Sequence, residues 1–432
     1  MNLSSTRFQS PVVSFRQALF AGQAPDGGLY MPQHFPRLPL EKLAAMTDYQ
    51  EFAACVLNTL LKDEIDPRGI EQIVHAAYPF APVVAEIKPA LYALELFHGP
   101  TLSFKDFGAQ FMAKTMGYWQ QKENRALTIL VATSGDTGSA VAKAFHRVDG
   151  IRIVLLYPAG KVSPLQEKQF TTLGDNVHAL KVEGAFDDCQ AWVKRAFRER
   201  EPAERINLSS ANSINIGRLI PQSIYYLWGV LRLLYTFEQV TVCVPSGNFG
   251  NLCAGFFAQQ MGLPVQKFIA AVNANSVVSE YIETGDFKPR LSMLTLSNAM
   301  DVGNPSNWER IQVMFNHDYA LIREKMWSTS VDDATTLVTM NAVYREHGYI
   351  ADPHTAVGLA AAQRYAARWG SSAKQAMLVL STAHPAKFQE TVRQALSMDI
   401  PLPSGLQECL AKESQVTPVS TYDQFRDFLW AF

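Results

Sequence analysis

The chain has 432 residues, 48% hydrophobic and 18% charged, a globular balance that excludes a mostly disordered protein. Lysine plus arginine number 38 and aspartate plus glutamate 40, so the formal net charge is −2, without the basic excess of a nucleic-acid binder or the acidic tail of a solvating segment. Five cysteines, at 55, 189, 243, 253 and 409, form no CxxC pair and read as reduced thiols. The nine histidines are dispersed with no HxxxH pair, so no metal site is expected. Met1 to Phe20 lacks the basic-then-apolar order of a secretory signal, and the apolar run Phe52 to Leu61 is too short to span a bilayer. Together these features predict a soluble, cytoplasmic protein with no nucleic-acid or membrane partner.

The first ninety or so residues are mixed and loop-rich. Ser14 is placed to cap a short helix through Phe20, and Pro25-Asp26-Gly27 marks a turn. Helical apolar spacing runs from Leu40 to Leu61 and again around Ile70 to Ala77, and prolines 79, 82 and 89 mark a boundary. Strands and helices then alternate. Short runs of buried-strand type are Leu127 to Ala132, Ile151 to Tyr157, Val177 to Val182, Val240 to Val244, Phe268 to Val272 and Met377 to Ser381. Between them helices are expected after Gly138, from Ser163-Pro164, over Ala185 to Arg200, over Asn215 to Leu234, and after Asn251 through Met261. Asp286 to Trp308 is less regular, a candidate surface cover, and Asp352-Pro353 opens a helix over Thr355 to Arg368. This alternation predicts an α/β fold with two open, largely parallel sheets, helices on both faces, and a mostly helical N-terminal region. The expected division is 1–90 for the N-terminal region, 91–125 with 236–400 for a larger domain, 126–235 for a smaller mobile one, and 401–432 for a C-terminal segment.

Ligands bind such sheets at the carboxyl ends of the strands, where loops lead into helices. Two of these loops are glycine-rich: Thr133-Ser134-Gly135-Asp136-Thr137-Gly138 and Ser246-Gly247-Asn248-Phe249-Gly250-Asn251. Exposed backbone N–H groups at a helix start attract anions. Neither loop is followed by Gly-Lys-Ser/Thr, and neither matches Gly-x-Gly-x-x-Gly, so nucleotide readings are weakened. The second loop has no carboxylate and suits a phosphate. In the first, Asp136 is expected to cap its helix through the N–H of Gly138 or Ser139, leaving Ser134 and Thr137 to a ligand carboxylate.

Lys105 lies between Phe104 and Phe107. An apolar setting desolvates an ammonium and lowers its pKa, and a neutral amine can attack an aldehyde. Composition alone leaves open a surface lysine resting on aromatic rings. Asn207 to Arg218 concentrates small polar side chains ahead of an arginine that can offer a fork to a phosphate, although Asn and Ser there also fit ordinary capping. Ser381 and Thr382 end a predicted strand and can hydrogen-bond a ring nitrogen or nearby backbone.

Read together, these segments resemble the threonine synthase family in its bacterial and fungal branch. The motifs are Ala24-Pro25-Asp26-Gly27-Gly28-Leu29-Tyr30, Leu96-Phe97-His98-Gly99-Pro100-Thr101-Leu102-Ser103-Phe104-Lys105-Asp106-Phe107, Ala132 to Ala140, Asn212-Ser213-Ile214-Asn215, Pro245 to Asn251, Asp352-Pro353-His354-Thr355-Ala356 and Ala383-His384-Pro385-Ala386-Lys387-Phe388. They fall in family order over most of the chain. The resemblance implies the fold-type-II architecture of pyridoxal-phosphate enzymes, with pyridoxal 5′-phosphate carried by Lys105 in a cleft between two domains. It implies cofactor contacts from Ser246, Gly247, Asn248, Phe249, Gly250 and Asn251 to the phosphate, from Asp136 near the 3′ oxygen, and from Ser381 or Thr382 to the ring nitrogen. It implies that Thr133, Ser134, Gly135 and Thr137 take the substrate carboxylate and that Asn212, Ser213 and Arg218 take its phosphate. The implied reaction turns O-phospho-L-homoserine and water into L-threonine and phosphate. A phospho-lyase giving 2-oxobutyrate and a non-catalytic cofactor-binding relative are the alternatives.

Overall fold

The computed structural model describes residues 1–121, 126–133, 135–199, 206–370 and 372–431. Strands β1 (Asn2–Ser5), β2 (Val13–Ser14) and β3 (Tyr30–Pro32) form a small antiparallel sheet at the N-terminus, beside the helices expected there. Ser14 caps the helix Phe15–Ala21, and Gln17 returns a bond to the Ser14 N–H, so two otherwise unpaired donors are satisfied. The helical stretch expected from Leu40 to Leu61 is two helices, Leu40–Ala44 and Tyr49–Leu61. Asp48 takes an extended backbone between them and caps the longer one through the Glu51 N–H.

Strands β4 (Val83–Lys88) and β5 (Leu91–Glu95) begin the larger sheet. The chain then leaves it to build β6 (Leu127–Ala132), β7 (Ile151–Pro158), β8 (Val177–Val182) and β9 (Asn207–Ser210). It returns with β10 (Gln239–Pro245), β11 (Lys267–Val272), β12 (Met326–Ser330) and β13 (Gln375–Ser381), and a last strand, β14 (Val416–Val419), goes back to the smaller sheet. The larger sheet has the order β12-β11-β10-β13-β5-β4 and is parallel except for β4. The smaller one, β14-β8-β7-β6-β9, is parallel throughout.

Alternate residues of each strand enter different cores, as a sheet covered on both faces requires. In the larger sheet Leu94, Val242, Val244, Phe268, Ala270, Leu378 and Leu380 join the main core, which also holds the helices Lys105–Gln120, Gln222–Leu233 and Gly250–Gln260. Ala93, Cys243, Ile269, Ala271 and Val379 face a separate core under the helix Pro353–Trp369. In the smaller sheet Ile129, Val131, Ile153 and Leu155 join the main core, while Leu130, Ala132, Val154 and Leu156 face the helices Phe186–Arg198 and Tyr422–Trp430. The main core therefore runs continuously beneath both sheets.

Two further expectations are revised. The long helix read over Asn215 to Leu234 is two helices, Ile216–Leu219 and Gln222–Leu233, interrupted at Pro221, which has no N–H to continue the ladder. The irregular stretch after Asp286 contains one short 3-10 turn, Asn298–Met300, and lies over the loop that follows β10: a Cβ on Gly247 would stand 2.6 Å from Met300 Cα. No helix among the described residues is long and apolar enough to cross a membrane.

Candidate active site

The site is built from loops at the carboxyl ends of β5, β10 and β13 in one sheet and of β6 and β9 in the other. After β5 the chain turns through Thr101 to Phe104 into the helix Lys105–Gln120. Asp106, fully buried, holds this turn: its carboxylate accepts from the Thr101 N–H at 2.9 Å and from Thr101 Oγ1 at 2.7 Å. Burial pushes its pKa up to about 6 against these bonds. Fixing Asp106 fixes its neighbour, so Lys105 projects from the first turn of a rigid helix.

Lys105 is not a surface lysine. Its side chain is 14% exposed, with Nζ 5.0 Å from the Phe104 ring centre and 3.5 Å from Asp136 Oδ2. Burial lowers its pKa; Asp136 works against that, while Lys387 and Arg218 add to it. The amine thus stands among charges that leave it closer to neutrality than an ordinary lysine.

Asp136 does not cap its helix, contrary to expectation. The N–H of Gly138 goes to Thr133 Oγ1 at 2.8 Å, and that of Ser139 to the Gly135 carbonyl at 3.1 Å. The carboxylate instead takes Lys387 Nζ at 2.6 Å and Gln166 Nε2 at 2.8 Å, besides Lys105. Burial alone would raise Asp136, but Lys387 and then Lys105 more than offset it and hold it far below the ordinary carboxylate range. Lys387 is fully buried and also donates to the Thr101 carbonyl at 2.9 Å. Sequence reasoning gave Lys387 no role; it belongs to a quoted motif, but its partner lies far away in the chain. One carboxylate from the smaller sheet therefore holds two lysines from the larger one.

The loop Ser246 to Asn251 follows β10 and opens the helix Gly250–Gln260. Phe249 adopts φ 58°, a left-handed conformation unusual for a bulky residue, as the chain turns into the helix. Asn248 spans the two sheets: its Nδ2 donates to Ser213 Oγ at 2.6 Å, and its Oδ1 accepts from the Ser306 N–H at 2.6 Å. Asn251 Oδ1 accepts from the hydroxyls of Tyr225 at 2.6 Å and Tyr226 at 2.7 Å, while its buried Nδ2 has no acceptor. Ser246 is turned inward, its hydroxyl on the Val244 carbonyl at 2.8 Å and its N–H on that of Ala271 at 2.8 Å.

Of the residues expected at the substrate, Ser134 lies outside the described residues. Thr133 Oγ1 is occupied by the N–H groups of Gly135 and Gly138, so it shapes its own loop. Gly135 has φ 144° and lies so close to Gln166 that a Cβ would stand 2.8 Å from its carboxamide. Thr137, in the helix Asp136–Phe145, is partly exposed. Asn212 anchors the end of β9 to that of β6 through Nδ2 on the Ala132 carbonyl at 2.9 Å. Arg218 is buried, donates from Nη1 to the Ala211 carbonyl at 2.6 Å, and keeps an Nε without an acceptor; burial lowers its pKa to about 10.

Ser381 and Thr382 are now distinguishable. Thr355 Oγ1 donates to the Asp352 carboxylate, so the 2.9 Å contact between Thr355 and Ser381 has Ser381 as donor. Tyr349 also donates to Ser381, at 3.2 Å. The Ser381 proton is thereby committed inward, whereas no hydrogen bond engages the Thr382 hydroxyl among the described residues. Behind Asp352, His354 Nδ1 lies 2.7 Å from its carboxylate and Nε2 accepts from the Ala299 N–H at 3.1 Å, tying this chain of bonds to the covering segment.

Buried donors without acceptors, on Arg218 and Asn251, suit bound anions. A desolvated lysine suits an aldehyde. This donor set fits pyridoxal phosphate.

Comparison with known proteins agrees. Residues 79–382 match a family model for pyridoxal-phosphate dependent enzymes, residues 2–78 one for the threonine synthase N terminus, and residues 355–429 one for the threonine synthase C-terminal region. A threonine synthase of Escherichia coli (strain K12) is 43% identical over 413 residues, 94% of each chain. The chain belongs to the threonine synthase family. A solved Escherichia coli threonine synthase superposes with a TM-score of 0.91 at 39% identity over 100% of both chains. A threonine synthase from Brucella melitensis, solved with pyridoxal phosphate bound, gives a TM-score of 0.91 at 35% identity, covering 99% of this chain and 98% of that one. The fold is that of the fold-type-II pyridoxal-phosphate enzymes.

Proposed function

We propose that the chain converts O-phospho-L-homoserine and water into L-threonine and phosphate, with pyridoxal phosphate carried on Lys105. The observation that carries this reading is the buried Lys105 amine 3.5 Å from Asp136, in a molecule that also leaves buried donors on Arg218 and Asn251 without acceptors. When bound, the cofactor supplies an electron sink for charge developing at the substrate Cα.

The protein's own groups do the rest. Lys105 Nζ takes the Cα proton, a role that burial favours by lowering its pKa. The amine gives that proton up before it takes a second one at Cβ, so that phosphate can leave from Cγ. Arg218 Nε, with Asn212 and Ser213, binds the departing phosphate and stabilises the charge it carries away. The loop Ser246 to Asn251 holds the cofactor phosphate, and Thr382 rather than Ser381 has a hydroxyl proton to offer a ring nitrogen. Asp136 would face the cofactor's 3′ oxygen and, through Lys387, ties the two sheets together. The Thr133 to Thr137 loop receives the substrate carboxylate. Cγ gains a proton and becomes the methyl group, water adds its hydroxyl at Cβ and its proton goes to phosphate, and proton return from Lys105 to Cα completes threonine; early entry of water would give 2-oxobutyrate instead.

The smaller unit, 126–235, closes on the larger one, 91–125 with 236–400. The reaction takes place in the cytoplasm, a reading supported by five free cysteines, three of them buried.

Incubation with O-phosphohomoserine tests the reaction. Threonine and phosphate in equal amounts are expected; 2-oxobutyrate as the main product would show a phospho-lyase.

A further inference from the structure

Asn251 and a residue far from it in sequence show the same device at the same helix end. Asn307 is fully buried, and its side-chain oxygen accepts from Arg310 Nη1. An amide whose oxygen is pinned has its NH2 group aimed by default. In Asn307 that group, Nδ2, has no acceptor. It lies 3.2 Å from the position a Cβ on Gly250 would occupy, at the first residue of the helix Gly250–Gln260. Asn307 is further held to the loop by its own N–H on the Asn248 carbonyl at 3.4 Å.

Arg310 explains why the amide cannot turn over. It is fully buried and forms no ion pair with a carboxylate among the described residues; it is satisfied by carbonyls, donating to Tyr30 at 3.1 Å and Ile214 at 2.6 Å. Those bonds join the N-terminal sheet, the segment after β9 and the covering segment behind one loop. Flipping Asn307 would place its NH2 against the guanidinium and its oxygen toward the helix N-terminus, where positive partial charge gathers but phosphate is expected.

We infer that Asn307 donates from Nδ2 to a phosphate group bound at the mouth of the Ser246 to Asn251 loop, with Arg310 as the positioning residue that aims it. The inference rests on the reading that pyridoxal phosphate binds beside Lys105. It adds a residue from the covering segment to a cradle otherwise made by one loop. Two phosphates meet this region, that of the cofactor and that of the substrate, and they share the same chemistry.

Asn307→Asp replaces the donor by an acceptor of equal size. Cofactor affinity is measured by the absorbance of the holoprotein, with pyridoxal, which lacks the phosphate, as the comparison. If Asn307 serves the cofactor, pyridoxal phosphate binding weakens roughly tenfold to a hundredfold while pyridoxal binding stays unchanged. If it serves the substrate, both stay unchanged and inhibition by inorganic phosphate weakens by a similar factor. Arg310→Met should give a smaller loss in the same assay, and Asn307→Ser replaces Asn307→Asp if the latter fails to fold. Equal weakening of pyridoxal and its phosphate, or no change in any of the three, overturns the inference. A parent protein that binds no pyridoxal phosphate at Lys105 would instead overturn the functional reading.

Discussion

The two glycine-rich loops share a design and differ in charge. Each leaves a buried parallel strand, turns within a few residues and opens a helix, although in the first the N–H groups of Gly135, Gly138 and Ser139 are taken up within the loop itself. In the loop after β6, a carboxylate sits at the helix start and two lysines from the other sheet close on it. In the loop after β10 there is no carboxylate; an amide stands at the second residue of the helix, its oxygen pinned by two tyrosines and its NH2 group left without an acceptor. The carboxylate of the first loop holds cations and couples the sheets; the second loop is the proposed anion holder. Loops that each open a helix can thus differ in charge, set by the side chain in the helix's first turn.

That contrast can be broken most forcefully at Asp136. Asp136→Ala leaves Lys387 buried without its counter-charge, which should cost about 3–5 kcal/mol, read from urea unfolding of the apoprotein. A loss below about 1 kcal/mol would mean that the pair does not hold the sheets together. The same substitution should raise the mobility of the smaller sheet in hydrogen exchange, beginning with the helix Asp136–Phe145.

A smaller effect is expected at the other loop. Asn251→Asp puts a carboxylate where an NH2 group now points and should weaken pyridoxal phosphate binding roughly tenfold to a hundredfold. Unchanged affinity would remove Asn251 from the anion holder. The stability change should be modest, since an acid oxygen can still accept from Tyr225 and Tyr226.

The subtlest test concerns the lysines. Lys387 lowers the pKa of Lys105 by repulsion and also claims the carboxylate that would raise it. Lys387→Met removes both influences, so the Lys105 amine should become neutral only at higher pH. The rate at which apoprotein combines with pyridoxal phosphate follows the neutral fraction, and its midpoint should move to higher pH. A midpoint that stays put or moves down would show that Lys387 does not govern Lys105. Lys387→Arg, which keeps the charge, should restore most of the original midpoint.

Much of this was legible in the sequence, and the exceptions have physical reasons. The strand Leu127–Ala132 appears at its full length because an apolar run marks a strand covered on both faces, and Val177–Val182 does so although it carries His178 and Lys181. Strand β9, Asn207–Ser210, is polar because it forms an edge, and its serines and asparagines read as capping residues. Strand β14 carries Pro418, which a central strand would reject and an edge strand tolerates. Lys105 and both loops were visible as local patterns. The role of Lys387 was not, because its partner, Asp136, comes from the other sheet. Nor was the inward commitment of Ser381, which follows from where Thr355 sends its proton.

The most direct test is reduction of the pyridoxal-phosphate-loaded protein with borohydride, followed by peptide mapping. The cofactor should be fixed to Lys105 and to no other lysine, with the absorbance of the loaded protein lost in step. A label on Lys387 or elsewhere, or a protein that takes up no cofactor, would contradict the account.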